Sequence, residues 1–453
     1  MGLILGSGQT KPQYPYDMWY GVQGDFSSKD YLLTRIGNMD LHRTLPIQNK
    51  LRRFVENTDG SVKYYLHQND SRKKDSGAAA ILDSSDGNVM LEKPEYYARF
   101  EVNGTKWALA ISEYALPGFV PMSQKTLSPW GATIDIANNM AVSGCWLQWG
   151  ADGELLRDEN GILSLLPNAV NFRGGSGASD ANKDGTYNSQ LGMPRTSISK
   201  AAARALCQNG THIGMARAYM EIAWLQRIEY ASLHCQGSYT ETLTTDGFRQ
   251  GGLGSGTTVD GTQWNTWGQR PFIPCGVTAP LGNNTGQVSY TIKGWTGGDK
   301  VVQVASYRGL EAPFGYLWFL ADDVLIHYSP DSDKGRTTAY GCTDPTKFIS
   351  PTENANTVPN GYVAITDLPR SSDYVWNFGF SYDGFSFPTN IGGNVNQGMC
   401  DYFYQSNFEV SLWCGARLSG VANGGNYAGF GCIDIRFNNS WNDSFTAFRL
   451  CRN

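Results

Sequence analysis

Cys432-Ile-Asp-Ile-Arg-Phe-Asn-Asn-Ser-Trp-Asn442, near the end of a chain of 453 residues, alternates apolar and polar side chains over its first seven positions. A period of two is the signature of a strand with one covered and one open face. The alternation predicts that Ile433, Ile435 and Phe437 are buried and that Cys432, Asp434, Arg436 and Asn438 are exposed. Asn439, Trp441 and Asn442 continue the outward series. An aromatic ring among short amides and one acid–base pair is a composition suited to recognition, since rings bring rigid contact area and amides bring adaptable hydrogen bonds. Further out, Trp413 and the pair Asn426 and Tyr427 join the same candidate surface, with Trp413 and Tyr427 lying outside the clearest buried alternation. The same composition also describes an ordinary surface strand near a chain end, and residue types alone leave the two readings level.

The surrounding block strengthens the recognition reading. Residues 372–453 hold 18 aromatics in 82 positions, and no lysine follows Lys347. Ring enrichment with lysine depletion marks interfaces, although most of these rings are expected to fill a core. Across the whole chain, 53 glycines, 13% aromatics and only 17% charged residues favour turn-rich β structure. A net charge of -5 argues against a phosphate-backbone partner, and Arg72-Lys-Lys74 is too short a basic run to restore one. No segment reaches membrane-spanning length, and the first residues lack the pattern of a secretion signal, so no membrane insertion is expected.

Catalytic and metal constellations are weak. The nine cysteines show no Cys-x-x-Cys spacing and the five histidines do not cluster. Free thiols, with at most one or two bridges, suit assembly in a reducing cytoplasm. Asp322 and Asp323 are adjacent on a predicted strand, so they point to opposite faces and cannot act as paired carboxylates; a helix cap or a solvated turn is the simpler role. Calcium lacks an acidic cluster near the candidate face, where Asp434 and Asp443 are the only acids after Glu409. No cofactor and no metal ligand is assigned.

Along the chain, residues 1–50 are rich in Gly, Tyr and Pro without a sustained period, and read as an arm that orders against a neighbour and anchors assembly. Residues 51–130 form a small antiparallel β domain. Its strands Val62–Leu66, Val89–Glu92, Tyr96–Val102 and Lys106–Ile111 are punctuated by Asp59-Gly60, Asp86-Gly87 and Asn103-Gly104, strong hairpin signals. Ser197–Gly210 and Met215–Ala231 read as two helices. Ser197 is placed to cap the first and Gly210 to end it, while the second carries one apolar stripe. Long polar inserts follow at about 234–303 and 327–366. The glycine string at 251–256 lacks the lysine and helix of a phosphate loop.

The spacing from Gly424-Gly-Asn-Tyr-Ala-Gly429 through the alternating strand to Asn438-Asn-Ser-Trp-Asn442 and Phe448-Arg-Leu450 resembles the variable segment of retroelement-diversified proteins with a C-type-lectin fold. Proteins of the major-tropism-determinant type belong to that group. Val304-Ala-Ser-Tyr-Arg-Gly-Leu-Glu-Ala-Pro-Phe-Gly-Tyr-Leu-Trp-Phe-Leu320 and the two helices resemble the formylglycine-generating-enzyme superfamily, which shares that fold. Departures are Ala447, where Gly is common, Ala312, Phe319-Leu320, and Trp441, which adenine-directed change of an Asn codon cannot produce. The 51–130 region is similar to the small β domain preceding lectin-like modules in phage tail fibres. The resemblance implies an α+β fold in which residues 131–453 form a C-type-lectin-like domain with two helices, an antiparallel sheet and long loop insertions. It places the ligand-binding segment at 412–450.

What the resemblance implies for function is a receptor-binding protein of a phage virion, displayed on the particle as a homotrimer. It would attach to a host cell-surface receptor, glycan or protein, with the arm contacting other virion proteins. The alternative is a structural virion component, a head fibre or baseplate part, using the fold for assembly. A formylglycine-generating oxidase is disfavoured because Cys432 and Cys451 lack that family's recognisable surroundings, so no enzymatic activity is expected.

Overall fold

The computed structural model describes residues 16–330, 335–352, 355, 357–406, 408 and 410–453. Of the arm, residues 1–15 lie outside the described part. Strand makes up 36% of the chain and helix 14%, which corrects the expected α+β lectin-like arrangement. The chain is a predominantly β protein of several sheets packed around one long helix. Composition pointed the right way here; the helical signal at 197–231 and the resemblance weighed against it, and they misjudged how much of the fold the helices form.

Strands distant in sequence share sheets. Tyr20–Asp25 pairs with Thr34–Gly37 on one side and Lys106–Ser112 on the other, with Tyr20 opposite Ile111. Tyr96–Asn103 and Val120–Met122 complete that five-stranded sheet. A seven-stranded sheet draws on 52–74, 89–93 and 125–127, and then takes in His212–Ile213 and the final strand Leu450–Arg452. Asn103-Gly104 and Asp59-Gly60 do turn hairpins, the glycines at φ +61° and +88°. Asp86-Gly87 does not, because Val89–Lys93 pairs instead with Arg52–Glu56 and Lys125–Leu127.

The nine-stranded sheet carries the C-terminal segment. Trp318–Ser329 and Leu412–Leu418 are its long central pair, and Ile433–Asp434 lies between Leu412–Leu418 and Tyr402–Tyr404. Its outer strands, Val363–Asp367 and Ser386–Ile391, come back into contact, so the sheet nearly closes into a barrel. In the 304–320 block, Gly309 and Gly315 take the positive φ their turns require, and Phe314, Trp318, Phe319 and Leu320 are all buried.

Both expected helices exist but differ from their reading. The first is Lys200–Leu206, capped by Ser199, whose hydroxyl accepts from the Ala202 amide; Ser197 stands outside it at φ +51°. The second, Ala216–Tyr230, is buried all round rather than along one stripe. Its polar side chains therefore need partners. Glu221 takes the ammonium groups of Lys93 and Lys125, Arg227 meets Asp401 at 2.6 Å, and Glu229 accepts from Arg308 and Tyr307. Asp323 accepts from the Ala216 and Arg217 amides at 2.6 and 3.1 Å, capping the helix from a neighbouring strand, as an aligned helix dipole favours. Asp322 faces the other way and is bound by Arg204 and Lys200. No disulfide joins any of the nine cysteines.

Candidate functional site

The segment 432–438 is a strand only at Ile433–Asp434, and the alternation does not separate core from solvent. Ile433 and Ile435 are buried as expected, but so are Cys432 and Asp434, while Arg436, Phe437 and Asn438 are half-buried. The strand is interior to its sheet, with strands on both flanks, and its polar face is covered by side chains of the C-terminal loop. That face holds an ion cluster. Arg417 donates to Asp434 at 2.8 Å and to Asp443 at 2.7 Å, and Arg436 donates to Asp434 through two nitrogens at 3.0 Å. Desolvation pushes the Asp434 carboxyl upward, yet the two guanidiniums outweigh it and hold the group below the ordinary carboxylate value. Burial raises the Cys432 thiol well above its usual value, which disfavours the reactive thiolate. Cys451 is likewise pushed up to about 12.

Other candidates divide in the same way. Trp413 is a core ring, packed on His327 and Tyr340, with its indole N–H donating to the Ala355 carbonyl. Asn439 is buried against the Pro351 carbonyl. Asn438 is tied up locally, accepting from the Ser440 amide and hydroxyl. Asn426, Tyr427, Trp441 and Asn442 are exposed, Tyr427 by 48% and Trp441 by 44%.

Three residues not singled out from sequence connect the exposed ones. Tyr427 sits edge-on to Tyr402, ring centres 4.7 Å apart, and beside Tyr374 at 5.7 Å; Tyr374 and Tyr402 themselves meet at 5.1 Å. Tyr402 lies 4.5 Å from Tyr404, over whose ring the Arg436 guanidinium sits at 4.3 Å. Arg436 also reaches Phe437, which stacks on Trp441 at 4.6 Å. The result is a chain of rings, Tyr374–Tyr427–Tyr402–Tyr404–Arg436–Phe437–Trp441, each member exposed or half-buried. A signal for it was present: in Asp401-Tyr-Phe-Tyr404, Phe403 is buried between two outward tyrosines, a clean period of two.

The ring surface has a rigid base. Gly425, at φ +52°, opens the short turn Gly425–Tyr427 that projects Asn426 and Tyr427. Gly420 packs against Ala428 so closely that a Cβ there would fall 2.7 Å from the Ala428 Cα. Behind the turn, Asp401 receives Arg227 from the long helix and the Gly431 amide at 3.0 Å, and Cys235 donates its thiol to the same carboxylate. Asp401 thus ties Tyr402, the Tyr427 loop and the central helix together. Burial raises its pKa above the ordinary carboxylate value, against the pull of Arg227.

Among the described residues, no group of three or more His, Cys, Asp or Glu side chains is placed to hold a metal ion, and no helix is long and apolar enough to cross a membrane. No protein-family model matches the chain, and a search of curated proteins returns no significant match.

Proposed function

We propose that this chain is a host-attachment protein of a phage particle and that the C-terminal ring surface contacts the cell-surface receptor, whether glycan or protein. The observation that carries the reading is the Tyr374, Tyr402 and Tyr427 cluster, flanked by the exposed Asn426 and continued through Arg436 to Trp441. Rings already braced against one another lose little conformational freedom on binding, and they combine apolar faces with hydroxyl edges. The likeness of 424–450 to retroelement-diversified segments supports the same role, as does the lysine-free, ring-rich composition of this region. On that likeness, the positions open to diversification would be exposed members of the surface such as Asn426, Tyr427 and Asn442, where substitution leaves the buried ion cluster intact. A single surface of this kind binds weakly, and display as a homotrimer in many copies on a particle multiplies its avidity. Attachment to the other virion proteins is assigned to the first residues of the chain.

Purified chain added to host cells before the phage should compete for the receptor and lower the adsorption rate in a dose-dependent way. Adsorption unchanged at saturating chain would contradict the reading and favour a structural role in head fibre or baseplate.

A further inference from the structure

A cavity of about 270 Å3 lies apart from the ring surface, between the 147–191 loops and the strand Gly286–Ile292. One wall is built by a loop hairpin whose bridges join Leu147 to Leu165, Trp149 to Leu155 and Arg157 to Leu163. Tyr290, Ile292, Met193 and Phe272 also line the cavity. Leu163 and Leu165 line the space while remaining half-buried, and Val170, 62% exposed, stands at its mouth. Thr186, Tyr187 and Ser189 add polar groups to an otherwise largely apolar lining.

The charges on this cavity share one sign. Arg157 and Lys293 line it, and no acidic side chain does. Lys293 pairs with Asp299 at 2.6 Å, but Arg157 forms no ion pair among the described residues. Its guanidinium instead joins that hairpin to the strand, donating to the Gly161 carbonyl at 2.9 Å and the Thr291 carbonyl at 2.8 Å. It also lies against the Tyr290 side chain, 5.8 Å from the ring centre and in hydrogen bond with the hydroxyl, so part and not all of the five-donor fork is left uncommitted. A guanidinium fixed in place, short of a carboxylate and set in a hydrocarbon wall, matches a planar anion with an apolar tail.

We propose that this cavity is a binding site for a small amphipathic carboxylate, its acid group on Arg157 and its hydrocarbon against Leu163, Leu165, Met193 and Phe272. Arg157 supplies the direction and the charge selection; the apolar walls supply the affinity.

The test is calorimetric titration of the full chain with octanoate, octan-1-ol and octylammonium at equal ionic strength. Octanoate should bind best, octanol more weakly and octylammonium least. In the Arg157→Gln protein, octanoate affinity should fall about tenfold or more, to the level of octanol, as expected for loss of one charge-assisted contact. Leu163→Trp, which fills the space and leaves the cation, should abolish binding of both octanoate and octanol. Equal binding of octanoate and octylammonium to the unaltered chain, or no binding of either, overturns the proposal whether or not the variants fold. So does full retention of octanoate affinity in folded Arg157→Gln.

Discussion

Arg417 is the side chain on which the C-terminal surface is built. It is buried, bridges Asp434 and Asp443, and lies under the Phe437 ring at 4.2 Å, so one guanidinium fixes both the strand and the loop that follows it. Removing Asp434 strands part of that charge. Asp434→Ala should therefore destabilise the fold by about 3–5 kcal/mol, the range for breaking a buried pair by deleting one partner. The alternation alone suggested that Asp434 is exposed and cheap to remove. Denaturant titration of Asp434→Ala distinguishes the two, and a loss below about 0.5 kcal/mol, normal for exposed positions, would contradict the buried cluster.

At the level of elements, the long helix and the projecting turn form one mechanical unit through Asp401. Asp401→Asn weakens the hold on Arg227 and on the Gly431 amide together. It should lower stability by roughly 1–3 kcal/mol, the cost of a compromised buried polar contact. It should also increase amide hydrogen exchange at 424–431 more than in strands 62–74 of the seven-stranded sheet; uniform exchange across both would argue against this linkage. What the sequence revealed at this scale follows from how local the signals are. Hairpin dipeptides act within four residues, so Asn103-Gly104 and Asp59-Gly60 were legible. The polar faces of Ala216–Tyr230 and of 432–436 resemble solvated faces because their partners, Lys93, Lys125, Asp401 and Arg417, lie far away along the chain. Tyr427 and Trp441 could be picked out as exposed, whereas Trp413 could not be told from them, since its burial depends on His327 and Tyr340 from other strands.

For the whole molecule, the many buried ionisable groups fix a stability profile with pH. Eight thiols, among them Cys145 and Cys207 at about 12, are raised by burial above the ordinary value of 9.0. A raised folded-state pKa gives stability that is complete below the unfolded value and is lost as pH climbs toward the folded one. Lys93 and Lys200, depressed to about 8 by burial, work the other way between there and 10.5, but two lysines do not offset eight thiols. On the acid side, His42 and His212 are lowered to about 4 by burial, so unfolding takes up protons below 6.5 and stability falls as pH drops from 6.5 toward 4. The unfolding free energy should therefore be level from about pH 6.5 to 8, rise slightly as the two lysines lose their protons, and decline above about pH 9 and below about pH 6.5. Chemical denaturation at pH 5, 7.5 and 10 checks this, and a value at pH 10 equal to that at 7.5 would contradict the buried-thiol assignment.

The central claim, attachment through the ring surface, is tested most directly by the adsorption rate of phage particles carrying Tyr427→Ala and Trp441→Ala together. Both side chains are about half exposed, and their loss removes ring contacts with Tyr402 and Phe437 and the Trp441 indole hydrogen bond to Asp443, so the purified variant should lose roughly 1–3 kcal/mol and stay folded. Adsorption should drop at least tenfold while particle number and morphology stay unchanged. Particles that adsorb at the original rate with this double substitution in place would contradict the account.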